Sequence, residues 1–143
     1  MATPSDGVQL ALPYELVPEN APRFAEDIAA EARSHGITLD YSADSIGYFD
    51  SVIESMRAAA LKPEQVAEVL LGFGCYLGEA IVKATGATWV LAAGTPGEKL
   101  AIFPIILHLP DGTLVDPAAR GFLALSKGPA ASFESFYGKY AGA

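Results

Sequence analysis

Residues that bind metal ions or form disulfides are scarce in this sequence. It has one cysteine and two histidines, and the histidines lie far apart in the chain. A metal site needs His, Cys, Asp or Glu clustered at ligand spacing, and a lone cysteine cannot form an internal disulfide. We therefore predict no metal site and no cofactor.

Basic residues are also few, since nine Lys and Arg stand against 17 Asp and Glu, for a net charge of −8. Nucleic acids and anionic membranes bind clustered basic side chains, so we expect neither as a partner. An acidic surface is compatible with a partner protein that is basic.

Charged residues make up only 18% of the chain and hydrophobic ones 51%, which excludes a disordered chain. The uninterrupted apolar run at 69–78 is shorter than the roughly 20 residues that span a bilayer. The N-terminus has no basic stretch, and Pro13 and Glu15 interrupt its apolar part, so we predict no signal peptide. We expect one cytoplasmic domain over 1–143, with 1–6 loose.

The centre of the sequence is a long helix from Pro63 to Gly86. Proline suits the first helical position, and glycine suits the left-handed residue past the end. Apolar residues at steps of three and four mark its inner face: Val66, Val69, Leu70, Phe73, Leu77 and Ile81.

Three glycines interrupt this helix, although each costs about 1 kcal/mol relative to alanine. Gly74 and Gly78 lie four residues apart, so they share one side, where another backbone can approach closely. Glu79 lies roughly opposite Phe73 and Leu77 on the helix wheel. It is interpreted as a solvated partner of Lys83, or else as a polar group in a pocket wall. Cys75 is interpreted as a small buried hydrophobe.

The order of patterns predicts an α+β fold: N-terminal helices packed on a small antiparallel sheet, with short C-terminal closing helices. Asn20 and Ser42 are candidate N-caps of the first two helices. The short connection before Pro63 predicts that the second and central helices are antiparallel neighbours. A strand starts at Trp89, and Asp116 caps a short helix that follows a hairpin.

The predicted strand from Leu100 to Leu109 is apolar on both faces, with Ile102 and Ile106 on one of them. A strand of this kind is covered on both faces. We expect helices on one face. On the other we expect either the extended segment Val8–Leu12 or a second copy of the chain, which makes a homodimer possible.

Two sets of side chains are candidate sites. The last helix carries an aromatic stripe, including Tyr137, that indicates core packing or a binding groove. The other set could meet where the central helix crosses the sheet, with Glu79 and His108 as acid and base; its members are Tyr76, Glu79, Trp89, His108 and Asp116. The alternative is a capping aspartate, a strand-end histidine and a surface glutamate, none adjacent.

The element order over 48–140 resembles a family of small uncharacterised bacterial domains, a domain of unknown function. The resemblance rests on a glycine-containing helix, a strand that starts with tryptophan, a D-P step and an aromatic closing helix. These are Gly74-Cys-Tyr-Leu-Gly78-Glu79, Trp89, Asp116-Pro117, Gly128 and Phe136-Tyr137. The resemblance implies the fold and no particular activity.

No phosphate-binding loop or nucleophile elbow occurs in the sequence. We therefore expect a non-catalytic protein-binding domain of the bacterial cytoplasm, immunity-like or an adaptor. The alternatives are a small-ligand-binding protein that uses the aromatic surface near Trp89, and an enzyme that uses Glu79 and His108.

Overall fold

Three helices precede a small sheet along the chain and two shorter helices follow it, which confirms the predicted α+β class. The structure is a computed structural model that describes residues 12–99 and 101–141. In that range it has five α-helices and a three-stranded antiparallel sheet. Their bounds are α1 Ala21–Ser34, α2 Ala43–Ala58, α3 Pro63–Thr85, β1 Thr88–Leu91, β2 Ile105–His108, β3 Leu114–Val115, α4 Arg120–Lys127 and α5 Phe133–Tyr140.

Helix α3 is the core of the molecule, and every residue from Leu70 to Ile81 is buried. It begins at Pro63 and ends at Gly86, whose φ of 84° is left-handed, as predicted. The predicted stripe was wrong at Val69, which is 41% exposed, because α3 is covered on all sides only beyond that residue. Of the described helices, α3 alone is long and apolar enough to cross a membrane. However, 72% of its apolar window is buried in the chain, as in a core helix.

The glycines of α3 lie at close contacts, as the sequence predicts. A Cβ atom on Gly74 would lie 2.6 Å from the carbonyl oxygen of Ala118, and one on Gly78 would overlap the indole ring of Trp89. A Cβ on Gly72 would lie 2.8 Å from the side chain of Ile28 on α1. Helix α1, the turn at Ala118 and the Trp89 ring therefore lie so close to α3 that a residue larger than glycine at these three positions would clash with them.

Helix α1 lies along α3 and contacts it more extensively than α2 does, although α2 is the predicted neighbour. The hydroxyl of Ser42 accepts a 3.3 Å hydrogen bond from Ser45 N and caps α2 as predicted. Asn20 occupies the N-cap position of α1, but its side chain makes no capping bond. It donates instead to the backbone oxygen of Glu15 at 2.9 Å, so the prediction of a side-chain cap was wrong.

The sheet has the order β1-β2-β3, and Trp89 lies opposite Leu107 while Thr88 lies opposite His108. The predicted strand over 100–109 was too long, since β2 covers only Ile105–His108. Pro104 has no N–H to donate to β1, and the chain before it is irregular. Ile102 is 60% exposed there and does not share a face with the buried Ile106.

The second face of β2 is covered, at least at Ile106, by the chain's own loop after β1. A Cβ atom on Gly97 would lie 3.1 Å from Cδ1 of Ile106, so this loop packs directly on the strand. A second subunit is therefore not needed to cover β2 at Ile106. Residues 8–11 of the predicted N-terminal cover lie outside the described residues, and the homodimer stays a prediction.

The closing segment contains a 3-10 turn at Pro117–Ala119 before α4, where the sequence predicts one short helix. Helix α5 packs its aromatic stripe into the core, as predicted. Phe133 and Phe136 are buried, and Tyr137 and Tyr140 are half-buried. Helices α4 and α5 both pack against α2 and α3.

Candidate functional site

Trp89 and Glu79 meet inside the molecule. The indole nitrogen of Trp89 donates a 2.9 Å hydrogen bond to Oε2 of Glu79, and both residues are buried. The predicted pairing of Glu79 with Lys83 was wrong, because Lys83 places its Nζ over the ring of Tyr41, 4.8 Å from the centroid. The alternative of a buried polar group is the one that the structure supports.

Tyr76 is fully buried and joins two other elements to α3. Its hydroxyl accepts a 2.7 Å hydrogen bond from the backbone N of Tyr41 and lies 2.7 Å from the hydroxyl of Ser45. Because Ser45 already donates to Ser42 O, the Tyr76 hydroxyl is the donor to Ser45. Burial raises the pKa of the Tyr76 phenol. Tyr76 therefore links α3 to Tyr41 and to the start of α2, and its side chain is not accessible to a ligand from solvent.

His108 does not join Trp89 and Glu79. It is exposed, and its partner in the register is the exposed Thr88, whereas Trp89 pairs with the buried Leu107. Neighbouring residues of a strand point to opposite faces. His108 therefore lies on the face of the sheet away from Glu79, and the two do not form an acid–base pair.

Asp116 caps the turn before α4, as predicted. Its Oδ1 accepts from Ala119 N at 3.3 Å and its Oδ2 from Ile102 N at 3.4 Å. Burial raises the pKa of this carboxyl group, and the two hydrogen bonds act in the opposite direction. Both oxygens are thus engaged by the backbone of two separate loops.

A pocket of about 270 Å³ lies beside Asp116, between the sheet, α4 and α5. We name it the Arg120 pocket. Its walls are mostly apolar and include Ile106, Leu114, Asp116, Arg120, Phe136 and Tyr140.

Arg120 is the one basic side chain of this pocket. Its guanidinium carbon lies 5.0 Å from the centroid of the Phe136 ring. Its Nε is buried and has no hydrogen-bond partner in the described chain. Burial lowers the pKa of Arg120, and electrostatic interactions with Tyr140 and Asp50 oppose that effect. The pocket thus combines mostly apolar walls with one half-buried cation.

Two large exposed apolar side chains belong to one residue of the pocket wall and to one residue adjacent to it in the chain. Leu123 lines it and is 36% exposed. Ile102, which follows Ala101 of the wall, is 60% exposed. We call Ile102 and Leu123 the rim residues.

Sequence reasoning missed Arg120. The available signal was that Arg120 is the only charged residue between Asp116 and Lys127, in an otherwise small and apolar segment. Tyr137, which the sequence offers as a binding candidate, is half-buried on α5 but does not line the Arg120 pocket. Its neighbours Phe136 and Tyr140 do.

No group of three metal-ligating side chains occurs among residues 12–99 and 101–141. Cys75 is fully buried, and desolvation raises the pKa of its thiol to about 12, so it is not an activated nucleophile.

The chain matches no family model, no curated protein and no solved structure. The candidate site therefore rests on its own geometry.

Proposed function

We propose that this protein is a non-catalytic protein-binding domain, an adaptor or immunity-like protein of the bacterial cytoplasm. Its partner docks on the Arg120 pocket and the rim residues. The observation that carries the proposal is the exposure of two large apolar side chains, Ile102 and Leu123, beside a concave apolar pocket. Apolar groups gathered around a pocket are the usual anchor points of protein interfaces.

The size of the pocket supports a partner protein over a free small ligand. Small-molecule sites span roughly 300–1,000 Å³ and bury most of the ligand. The Arg120 pocket has about 270 Å³, which suits one anchoring group better than a whole ligand. A small ligand inside it would also leave Ile102 exposed, whereas a docked protein surface covers both rim residues.

The charge of the chain bears on the character of the partner. A net charge of −8 raises the encounter rate with a basic protein and lowers it with nucleic acid or an acidic protein. We therefore propose a partner with a basic surface around its anchoring group. The enzymatic alternative receives no support from geometry, because Glu79 and His108 lie on opposite sides of the sheet.

The test compares purified baits in lysate from the source cell by quantitative mass spectrometry. The baits are the wild type, Ile102→Ser, Leu123→Ser and the control Val69→Ser. Val69 is also exposed and apolar, at 41%, but it does not line the Arg120 pocket. We expect one partner that wild type and Val69→Ser retain and that both rim variants lose.

The partner is then purified and its affinity measured. Interface anchors typically contribute 1–2 kcal/mol or more, so each rim variant should weaken binding about 5- to 30-fold. Equal affinity for the wild type and both rim variants would refute the proposed surface. A small bound molecule detected by native mass spectrometry, released on denaturation, would instead support the small-ligand alternative.

A further inference from the structure

The Arg120 pocket contains a cation that pairs with no carboxylate in the part of the chain that the structure describes. No carboxylate of the described residues lies within ion-pair distance of Arg120, whereas Arg33 and Arg57 each have a glutamate partner. The Nε of Arg120 also lacks any hydrogen-bond partner there. A half-buried, unpaired guanidinium costs stability unless a complementary group arrives.

We propose that the Arg120 pocket binds the free carboxylate at the C-terminus of a partner chain whose last residue is apolar. This inference rests on the proposed function and names the group that anchors the partner. A guanidinium presents several N–H donors in one plane and matches a carboxylate. The carboxylate satisfies the charge of Arg120.

The remaining walls define what must accompany the carboxylate. Leu114, Leu123 and Phe136 make the pocket mostly apolar, so the anion has to carry an apolar group beside it. A chain terminus supplies both, because its carboxylate and its last side chain share one Cα atom. An aspartate or glutamate side chain supplies the charge alone.

The carboxyl group of Asp116 favours a carboxylate over a phosphate as the bound anion. It lies in the wall of the same pocket, and its oxygens accept hydrogen bonds from Ile102 N and Ala119 N. A doubly charged phosphate would meet this carboxyl group with only Arg120 to balance it. A singly charged carboxylate meets less repulsion, so phosphate is disfavoured.

The sheet favours a peptide over a free acid. Strand β3 forms an edge of the described sheet, and both of its residues, Leu114 and Val115, line the pocket. An extended segment can pair with an exposed strand edge while its side chains enter adjoining pockets. A terminal segment that pairs with β3 would lie at the pocket that Arg120 also lines.

The experiment titrates the full-length, ¹⁵N-labelled protein with hexapeptides and follows amide signals by NMR. One probe is an acetylated peptide that ends in Val-Leu with a free carboxylate, and the second is its C-terminal amide. A third probe is 4-phenylbutyrate, an apolar acid without a peptide backbone. We expect shifts at Leu114, Leu123 and Tyr140 with the free acid. Binding of the amide should be about 10- to 100-fold weaker, the range for a lost charged hydrogen bond.

Variants locate the effect. Arg120→Met should abolish the preference for the free acid, Arg120→Lys should keep part of it, and Val69→Ser should keep all of it. The comparison of acid with amide on the wild type needs no variant, so it stands even where Arg120→Met fails to fold. Equal binding of acid and amide overturns the inference, as does no binding of either at millimolar concentration. Phenylbutyrate binding as tightly as the peptide also overturns it, in favour of a small acid.

These outcomes are separable from the proposed function. A partner that depends on Ile102 and Leu123 but binds Arg120→Met with unchanged affinity would refute carboxylate recognition and leave the docking surface intact. A partner insensitive to the rim residues would refute the docking surface itself.

Discussion

The indole nitrogen of Trp89 lies 2.9 Å from Oε2 of Glu79, and the two residues are 8% and 7% exposed. This bond joins the start of β1 to the middle of α3, directly beside Gly78, whose missing side chain leaves room for the indole ring. Without the glycine the ring could not lie there, and without the ring Glu79 would have no donor for its buried oxygen.

Removal of this bond should destabilise the fold. In Glu79→Ala the buried indole N–H loses its acceptor, which costs about 1–3 kcal/mol. Glu79→Gln keeps a side-chain oxygen that can accept the bond and should retain more stability. Urea unfolding followed by the emission of Trp89, the only tryptophan, measures both. Equal midpoints for Glu79→Ala and wild type would show that the bond contributes nothing.

Gly74→Ala should destabilise the protein by about 1–3 kcal/mol, because an added methyl group forces the backbone at Ala118 to shift. The matched control is Gly138→Ala in α5, where a Cβ meets nothing within 4 Å. That change should stabilise by about 0.4–1 kcal/mol, since alanine restricts the unfolded chain. Thermal or urea unfolding gives both values. A Gly74→Ala protein as stable as wild type would contradict the close packing.

Asp116 should give the stability a pH dependence of defined sign. Burial raises its pKa in the folded protein above the unfolded value of about 3.9. The folded state then binds its proton more tightly, so the stabilising contribution is fully present below the unfolded pKa and is lost as pH rises through the folded pKa.

The comparison is with Asp116→Asn, which keeps an acceptor for Ala119 N but does not titrate. Between pH 7 and pH 4 the wild type should gain stability relative to this variant. The urea unfolding midpoints of the wild type and Asp116→Asn, measured at each pH, give the difference in stability between the two proteins. A difference between them that stays constant over this range would place the carboxyl in a solvent-like environment.

Cys75 should be unreactive in the folded protein. It is fully buried, and its thiol has a pKa of about 12, so almost no thiolate exists at pH 8. Labelling by iodoacetamide should be slow in buffer and should rise along the same urea curve as Trp89 emission. Rapid labelling without urea would mean that α3 opens locally.

Local rules recovered the helices of this protein well. Pro63 and Gly86 mark the ends of α3, Ser42 caps α2, and the glycines of α3 lie at close contacts, as predicted. The ends of α3 and the cap of α2 depend on residues within one or two turns of chain, where propensity, capping and periodicity act. The glycines indicate a close contact, but the residues that make it come from distant parts of the chain. The turn before β3 also follows a local rule, since Gly112 has a left-handed φ of 93°, which glycine adopts without strain.

The candidate site could not be predicted in the same way. Glu79 and Lys83 have the spacing of an exposed ion pair. In the structure, however, Glu79 accepts a hydrogen bond from Trp89, and the Lys83 ammonium group lies over the ring of Tyr41. Arg120 becomes a candidate site residue only in the folded chain, where it lines the same pocket as Phe136 and Leu114.

Local sequence specifies which segments become helices and where they end. It also indicates that another part of the chain packs closely against the glycines of α3. The tertiary structure alone decided which faces are buried. Asp50 on α2, for example, accepts hydrogen bonds from Phe133 N and Glu134 N at the start of α5, more than 80 residues away. The physical reason is the distance along the chain over which each interaction acts. Helix formation depends on residues about four positions apart, whereas burial and charge pairing depend on groups that only folding brings together.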